Sequence, residues 1–153
     1  MARPEKFRII KSPPVFYSFK PVGISMNELP RLNLSIAEYE AIRLADYEGL
    51  DHVDAAERME VSRPTFSRLI EKARKNLAAF LIEGYALSID GGNIHFSENL
   101  IKCLDCGFFF RPKIEREVKN CEKCGSENLS NLAMKFGHGK CCWNRNRRRR
   151  GNR

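Results

Sequence analysis

At 153 residues and a net charge of +8, the chain has room for one medium domain or two small ones. No stretch approaches 18 consecutive apolar residues, and the start, MARPEKFRIIKSPP, is charged and proline-rich; both features argue against a membrane span or a secretory leader and predict a cytoplasmic protein. There, six cysteines are expected to be metal ligands or free thiols before disulfides.

The charge is concentrated at one end. Residues 140–153 hold seven of the 27 Lys and Arg and no acid, leaving 20 basic against 19 acidic residues elsewhere. Global basicity is therefore no evidence for how the rest of the chain works.

In chain order, residues 1–34 read as extended. Phe7–Ile10 and Val15–Phe19 are rich in β-formers and are split by Ser12-Pro13-Pro14. Their aromatics predict a strand or two packed against a helical core, with Arg3, Lys6, Arg8 and Lys11 as alternative phosphate contacts. A first helix is expected from Ser35: Ser35 with Glu38 makes a capping box, and Leu34 with Tyr39 has the spacing of a hydrophobic staple. Ile36, Tyr39, Ile42 and Ala45 recur on one face, and Gly49 stops the run.

Residues 52–71, HVDAAERMEVSRPTFSRLIE, have the spacing of a helix-turn-helix. Ala55, Ala56 and Met59 supply the apolar contacts of its first helix, Val61 those of the turn, and Phe66 and Leu69 those of the second. Ser62 is a preferred N-cap, and Pro64 falls in the first turn, where its missing N–H costs nothing. The apolar stripe Phe66, Leu69, Ile70, Ala73, Leu77, Phe80 and Leu81 extends this helix and predicts that its C-terminal part packs on the protein body. Glu60 stands where such a turn favours glycine, at a strain of roughly 1 kcal/mol. The residues expected to meet nucleic acid are Ser62, Arg63, Thr65, Ser67, Arg68 and Lys72, with arginine suited to guanine and the hydroxyls to phosphate. A three-helix bundle without DNA contact is the competing expectation.

After Gly84, Tyr85–Ile89 reads as a strand, Asp90-Gly91-Gly92-Asn93 as a turn and Ile94–Phe96 as the hairpin partner. His52 and His95 read as structural. A domain boundary is placed near Ser97.

Cys103-Leu-Asp-Cys106-Gly and Cys121-Glu-Lys-Cys124-Gly are two knuckles fourteen residues apart. Thiolates at that spacing point at one centre, and two such turns joined by a hairpin make a tetrahedral four-sulfur site. Phe108–Arg111 and Glu115–Val118 are the expected hairpin strands around Pro112. One structural zinc ion is expected; rubredoxin-like iron or a redox dithiol pair are the alternatives. Further on, His138, Cys141 and Cys142 are three candidate ligands in five residues, too few to complete a site. They read as free thiols in a mobile tail, with a second metal left open. The run containing Arg145, Arg147, Arg148, Arg149 and Arg150 suits phosphate backbones without sequence preference.

The expected fold is mainly α. A three-helix helix-turn-helix domain with flanking short β-strands and an N-terminal extended segment spans 1–97. A small zinc-ribbon-like β domain spans 98–135, and a disordered Arg-rich tail spans 136–153.

Phe19-Lys20-Pro21, Glu40-Ala41-Ile42-Arg43-Leu44-Ala45-Asp46, Ala55-Ala56-Glu57-Arg58-Met59, Val61-Ser62-Arg63, Thr65-Phe66 and Gly91-Gly92 together give residues 2–93 a further meaning. This stretch resembles a prokaryotic family of uncharacterised, predicted DNA-binding proteins with a helix-turn-helix similar to region four of sigma factors. The resemblance implies transcription-related DNA binding and no established activity. Some relatives join the module to a domain like those handling iron-molybdenum cofactor; this chain carries a cysteine-rich ribbon instead. The expectation is a non-enzymatic regulator that binds double-stranded DNA, with a homodimer suited to twofold sites. RNA, the ribosome or RNA polymerase are the alternative partners.

Overall fold

The computed structural model describes residues 6–138 and 141–145. The chain forms two units, one of residues 1–9 and 16–94, the other of residues 10–15 and 95–153. Arg8–Ile10 (β1) and Ile94–Phe96 (β5) pair as a two-stranded sheet, and the chain changes unit within both strands.

In the first unit, Ser18–Phe19 (β2), Arg31–Leu34 (β3) and Ala86–Ile89 (β4) form a sheet in the order β2-β4-β3. β3 runs parallel to β4 with Leu32 opposite Leu87 and Leu34 opposite Ile89, while β2 is antiparallel. A parallel pair requires a long crossover, here the helical segment between β3 and β4. The hairpin expected between Tyr85–Ile89 and Ile94–Phe96 does not form. The Asp90 N–H donates to the Leu34 carbonyl and the Gly91 carbonyl accepts from Ile36, so these turn peptides are held by the chain entering the first helix. Nor do the early aromatics pack inward: Phe16, Tyr17 and Phe19 are exposed.

The first helix, Ile36–Ile42 (α1), has the capping box its sequence predicts: Glu38 N–H donates to Ser35 Oγ at 3.1 Å, and Ser35 N–H to Glu38 Oε2 at 2.9 Å. It continues into a π-helical turn, Arg43–Tyr47. Its buried face is Ile36, Ala37, Glu38, Glu40, Ala41 and Leu44, rotated from the expected Ile36, Tyr39, Ile42, Ala45 line. Two glutamates sit in that face because each has a cationic partner. Glu40 takes a two-pronged contact from Arg43 at 2.7 and 2.8 Å, and Glu38 meets Lys72 at 3.2 Å. The hydrogen bonds to Glu40 raise the Arg43 guanidinium above its ordinary range against the opposing effect of burial.

His52–Met59 (α2) is capped by Asp51, whose carboxylate accepts from Asp54 N–H at 2.8 Å. It ends at Glu60, the only non-glycine among the described residues with positive φ, at φ 55° and ψ 41°. Arg63–Glu83 (α3) then starts from Ser62, which accepts from Thr65 N–H at 3.3 Å. It packs against α1 and α2 through Phe66, Leu69, Ile70 and Ala73. Beyond Ala73 no α3 residue is fully buried, and Leu81 and Ile82 are exposed, contrary to the packing expected there. Length is the reason. At about 1.5 Å per residue, a helix of 21 residues outruns neighbours of 7 and 8. Arg74 reaches from α3 to the π turn, donating to Asp46 at 2.6 and 3.1 Å. These bonds hold the Asp46 carboxyl below its ordinary range.

Glycine tolerates the left-handed region that Glu60 occupies, where a Cβ adds roughly 1 kcal/mol of strain. Glu60→Gly is therefore expected to stabilise the helical unit by about 1 kcal/mol. A urea titration should show a higher midpoint with an unchanged slope.

In the second unit, Ile101–Cys103 (β6), Phe109–Phe110 (β7) and Leu129–Asn131 (β8) form an antiparallel sheet in the order β7-β6-β8. The expected partner of Phe108–Arg111, Glu115–Val118, is not a strand. β7 pairs instead with the strand that carries the first cysteine, placing Ile101 opposite Phe110. Ile101, Cys103, Phe110 and Cys121 form one buried cluster, with Val118 and Leu129 against it. Leu132–Lys135 (α4) follows, capped by Asn131.

The mainly α fold is thus corrected to a mixed one. Eight strands in three small sheets accompany the helices among the described residues. Ile101–Cys103 and Leu129–Asn131, of three residues each, are too short for a period-two pattern to register in sequence. The tail, expected to be structureless from 136, has helical residues at 141–145; residues 146–153 lie outside the described part.

Candidate functional site

Both cysteine knuckles have the same construction. In the first, Cys106 N–H donates to Cys103 Sγ at 3.5 Å and Gly107 N–H to the Cys103 carbonyl at 2.9 Å. In the second, Lys123 N–H donates to Cys121 Sγ at 3.4 Å and Gly125 N–H to the Cys121 carbonyl at 3.0 Å. Gly107 and Gly125 both take positive φ, 75° and 76°, which lets the chain curl beneath the sulfurs at little cost. The knuckles are also tied through Asp105, whose carboxylate accepts from Ser126 Oγ and, at 3.1 Å, from Asn128 Nδ2. Those bonds, Ser126 first, hold its carboxyl below the ordinary range.

The four sulfurs lie within 4.8 Å of one another. Cys103 is 3.6 Å from Cys124, and Cys106 is 3.7 Å from Cys121. Sulfurs at about 2.3 Å from a tetrahedral ion are roughly 3.8 Å apart, so the residues fit a metal ion. Backbone donors favour the thiolate at two of them. The Cys106 N–H pulls Cys103 below the ordinary thiol range, and the Cys124 and Lys123 N–H groups pull Cys121 to about 6. Cys106 and Cys124 are raised, Cys124 to about 12. There the N–H groups of Phe108 and Ser126 are outweighed by desolvation and the neighbouring sulfurs. Such a cluster needs a cation before all four groups ionise. Four sulfur donors leave no open coordination position, so the centre suits stabilisation and not chemistry on a substrate.

The other candidate surface is the start of α3. Arg63, Arg68 and Lys72 are exposed, and neither arginine makes an ion pair among the described residues. Lys72 is paired with Glu38. Ser62 caps the helix and its hydroxyl lies 2.8 Å from that of Thr65. Ser67 shares a 2.8 Å hydrogen bond with His52 Nδ1, and the His52 ring meets Phe66 edge-on at 5.4 Å. His52 thus links α2 to α3 while occupying one of the hydroxyls expected to face a ligand. Of the tail residues, Arg145 is helical and half-buried; Arg147, Arg148, Arg149 and Arg150 lie outside the described residues. His95 stands beside His138, Cys141 and Cys142, a grouping that spacing along the chain does not reveal.

The geometry defines a two-unit protein, helical in its first part and carrying a candidate four-cysteine metal site in its second. The chain belongs to the family described as "Protein of unknown function DUF134", whose model matches residues 1–97. It is 45% identical over 151 residues to a UPF0251 protein of Chloroherpeton thalassium, covering 99% of each chain. A UPF0251 protein of Pelotomaculum thermopropionicum is 44% identical over 126 residues, 82% of this chain and 95% of that one. UPF0251 protein NT01CX_1491 of Clostridium novyi is 40% identical over 129 residues, 84% of this chain and 88% of its own. No solved structure matches the chain. No helix among the described residues is long and apolar enough to cross a membrane.

Proposed function

We propose that this protein is a DNA-binding transcriptional regulator. In it α2, the Glu60–Ser62 turn and α3 act as a sigma-like helix-turn-helix, and Cys103, Cys106, Cys121 and Cys124 hold one structural zinc ion. The observation that carries the proposal is the Ser62-capped start of α3, which leaves Arg63 and Arg68 exposed in the first two turns of the helix. The positive end of the helix dipole favours phosphate there. Arginine can read the O6 and N7 acceptors of guanine. Zinc is the ion proposed because tetrahedral all-sulfur sites on paired knuckles suit it. The proposal assigns no reaction to the protein, and a homodimer on a twofold site is its natural form.

One observation favours a protein partner such as RNA polymerase instead: Asp51 at the cap of α2, and Asp54 and Glu57 along it, are all exposed and would repel phosphate beside α3. Sites recovered by crosslinking the protein to chromosomal DNA supply the probe that separates the two. On such a duplex, Arg68→Ala should weaken binding by about 1–3 kcal/mol, roughly 5- to 150-fold in Kd, if it reads a base. An equal loss on random duplex would make it a phosphate contact. Folded RNA outcompeting duplex DNA would move the function to RNA. Binding to neither, with polymerase copurifying, would establish the docking alternative.

A further inference from the structure

The second unit brings together a set of donors separate from the four-cysteine centre. His95, His138, Cys141 and Cys142 each offer a ligand atom, and these atoms all lie within 4.8 Å of one another. Cys141 and Cys142 are 3.7 Å apart at sulfur. Cys142 Sγ is 3.4 Å from His95 Nδ1 and 3.6 Å from His138 Nδ1, and Cys141 Sγ is 3.4 Å from His138 Nδ1. Around a tetrahedral ion with metal–sulfur and metal–nitrogen bonds of about 2.3 and 2.05 Å, sulfurs sit roughly 3.8 Å apart, and sulfur and nitrogen roughly 3.6 Å. The edges of the cluster follow those values. A set of thiol–imidazole hydrogen bonds would pair each sulfur with one nitrogen; here one histidine nitrogen faces both sulfurs and one sulfur faces both nitrogens.

Local structure explains how these side chains arrive. Gly137, at φ 74°, ends α4 in the left-handed conformation. Gly137 N–H donates to the Met134 carbonyl and His138 N–H to the Ala133 carbonyl. That pairing is a Schellman motif, and it fixes His138 immediately after the helix. Cys141 and Cys142 lie on the helical residues 141–145. His95 comes from β5 and is 8% exposed, while Cys142 is 1% exposed. The surroundings are those of a built centre. The Phe96 N–H donates to Cys142 Sγ at 3.2 Å, a bond that orients the sulfur as outer partners do at metal sites. The Phe96 ring also meets His138 edge-on at 5.3 Å.

We propose that His95 Nδ1, His138 Nδ1, Cys141 Sγ and Cys142 Sγ form a second metal site, of the two-sulfur, two-nitrogen kind that takes zinc. Binding replaces the protons of two thiols: two Cys–SH, two neutral imidazoles and one Zn²⁺ give a neutral complex and two released protons. The site ties His138 and the helical residues 141–145 to β5, whereas the four-cysteine centre ties the two knuckles together. It stands whether or not the protein binds DNA.

Full-length protein saturated with Zn²⁺ and desalted should carry two ions per chain by elemental analysis. The Cys141→Ser/Cys142→Ser variant should carry one, and so should His138→Asn. Cys103→Ser/Cys106→Ser should also lose one ion and keep the other. With Co²⁺ in place of Zn²⁺, the ion kept by that last variant should show weaker thiolate charge-transfer absorption than the ion kept by the Cys141/Cys142 variant, because it has two sulfur ligands and not four. Circular dichroism identifies any variant that has lost its fold, and for such a variant the conservative His138→Asn decides. One ion in the folded wild type, or two ions retained by folded His138→Asn, would overturn the second site. A count of one in the wild type that falls to zero only in the Cys103/Cys106 variant would do so while leaving the four-cysteine centre intact.

Discussion

Stripping metal from the protein with a strong chelator should collapse residues 98–135 and leave the helical unit folded. The physical reason is size. A segment this short buries too little apolar surface to fold alone, and structural zinc in small domains supplies about 10 kcal/mol or more of apparent binding free energy at neutral pH. Two of the four buried residues in its cluster, Cys103 and Cys121, are themselves sulfur donors, so the metal site and the apolar core are built from the same side chains. Circular dichroism should show loss of the strand contribution with the helical bands kept. Amide protection should vanish at Ile101–Cys103 and persist along Arg63–Glu83. An unchanged spectrum after verified metal removal would contradict the role assigned to the four cysteines. Cys121→Ser should remove protection at Ile101–Cys103, since one missing donor opens the four-sulfur shell, while leaving α4 and the donors it positions in place.

Phe66→Ala is expected to be the most damaging single change in the helical unit, costing about 3–5 kcal/mol. Phe66 is fully buried, lies on α3 where that helix meets α1 and α2, and carries the edge contact to His52. Removing it leaves a cavity at the joint on which the pose of Arg63 and Arg68 depends. Chemical denaturation should register the loss as a lower midpoint of the helical transition. A cost below about 1 kcal/mol would mean that the joint repacks freely.

What the sequence revealed and what it concealed follow from the range of the interactions involved. The Ser35–Glu38 box, the Ser62 cap, the Gly84 stop and the two knuckles each depend on residues within five positions of one another, so spacing alone exposes them. Glu60 was legible in the same way, as a residue in a position that favours glycine. The pairing of β3 with β4 and of β1 with β5 joins strands separated by the whole helical segment, and nothing local announces it. The buried face of α1 departs from its expected line because Glu38 and Glu40 look like solvent residues until Lys72 and Arg43 are placed beside them. His95 reads as merely structural for a similar reason: its neighbours His138, Cys141 and Cys142 lie far along the chain. In each case the missing signal was a partner remote in sequence.

The parallel alignment of β3 and β4 also bears on how the chain assembles. Residues 35–85 separate the two strands, so a ribosome must extrude every helix of this unit before β4 exists to lie beside β3. The helices, rich in near-neighbour contacts, can form within microseconds, whereas the strand pairing waits for its distant mate and bears the larger loop-closure entropy. Folding of this half is therefore vectorial, with the sheet acting as the final clasp on a helical cluster that has already collapsed.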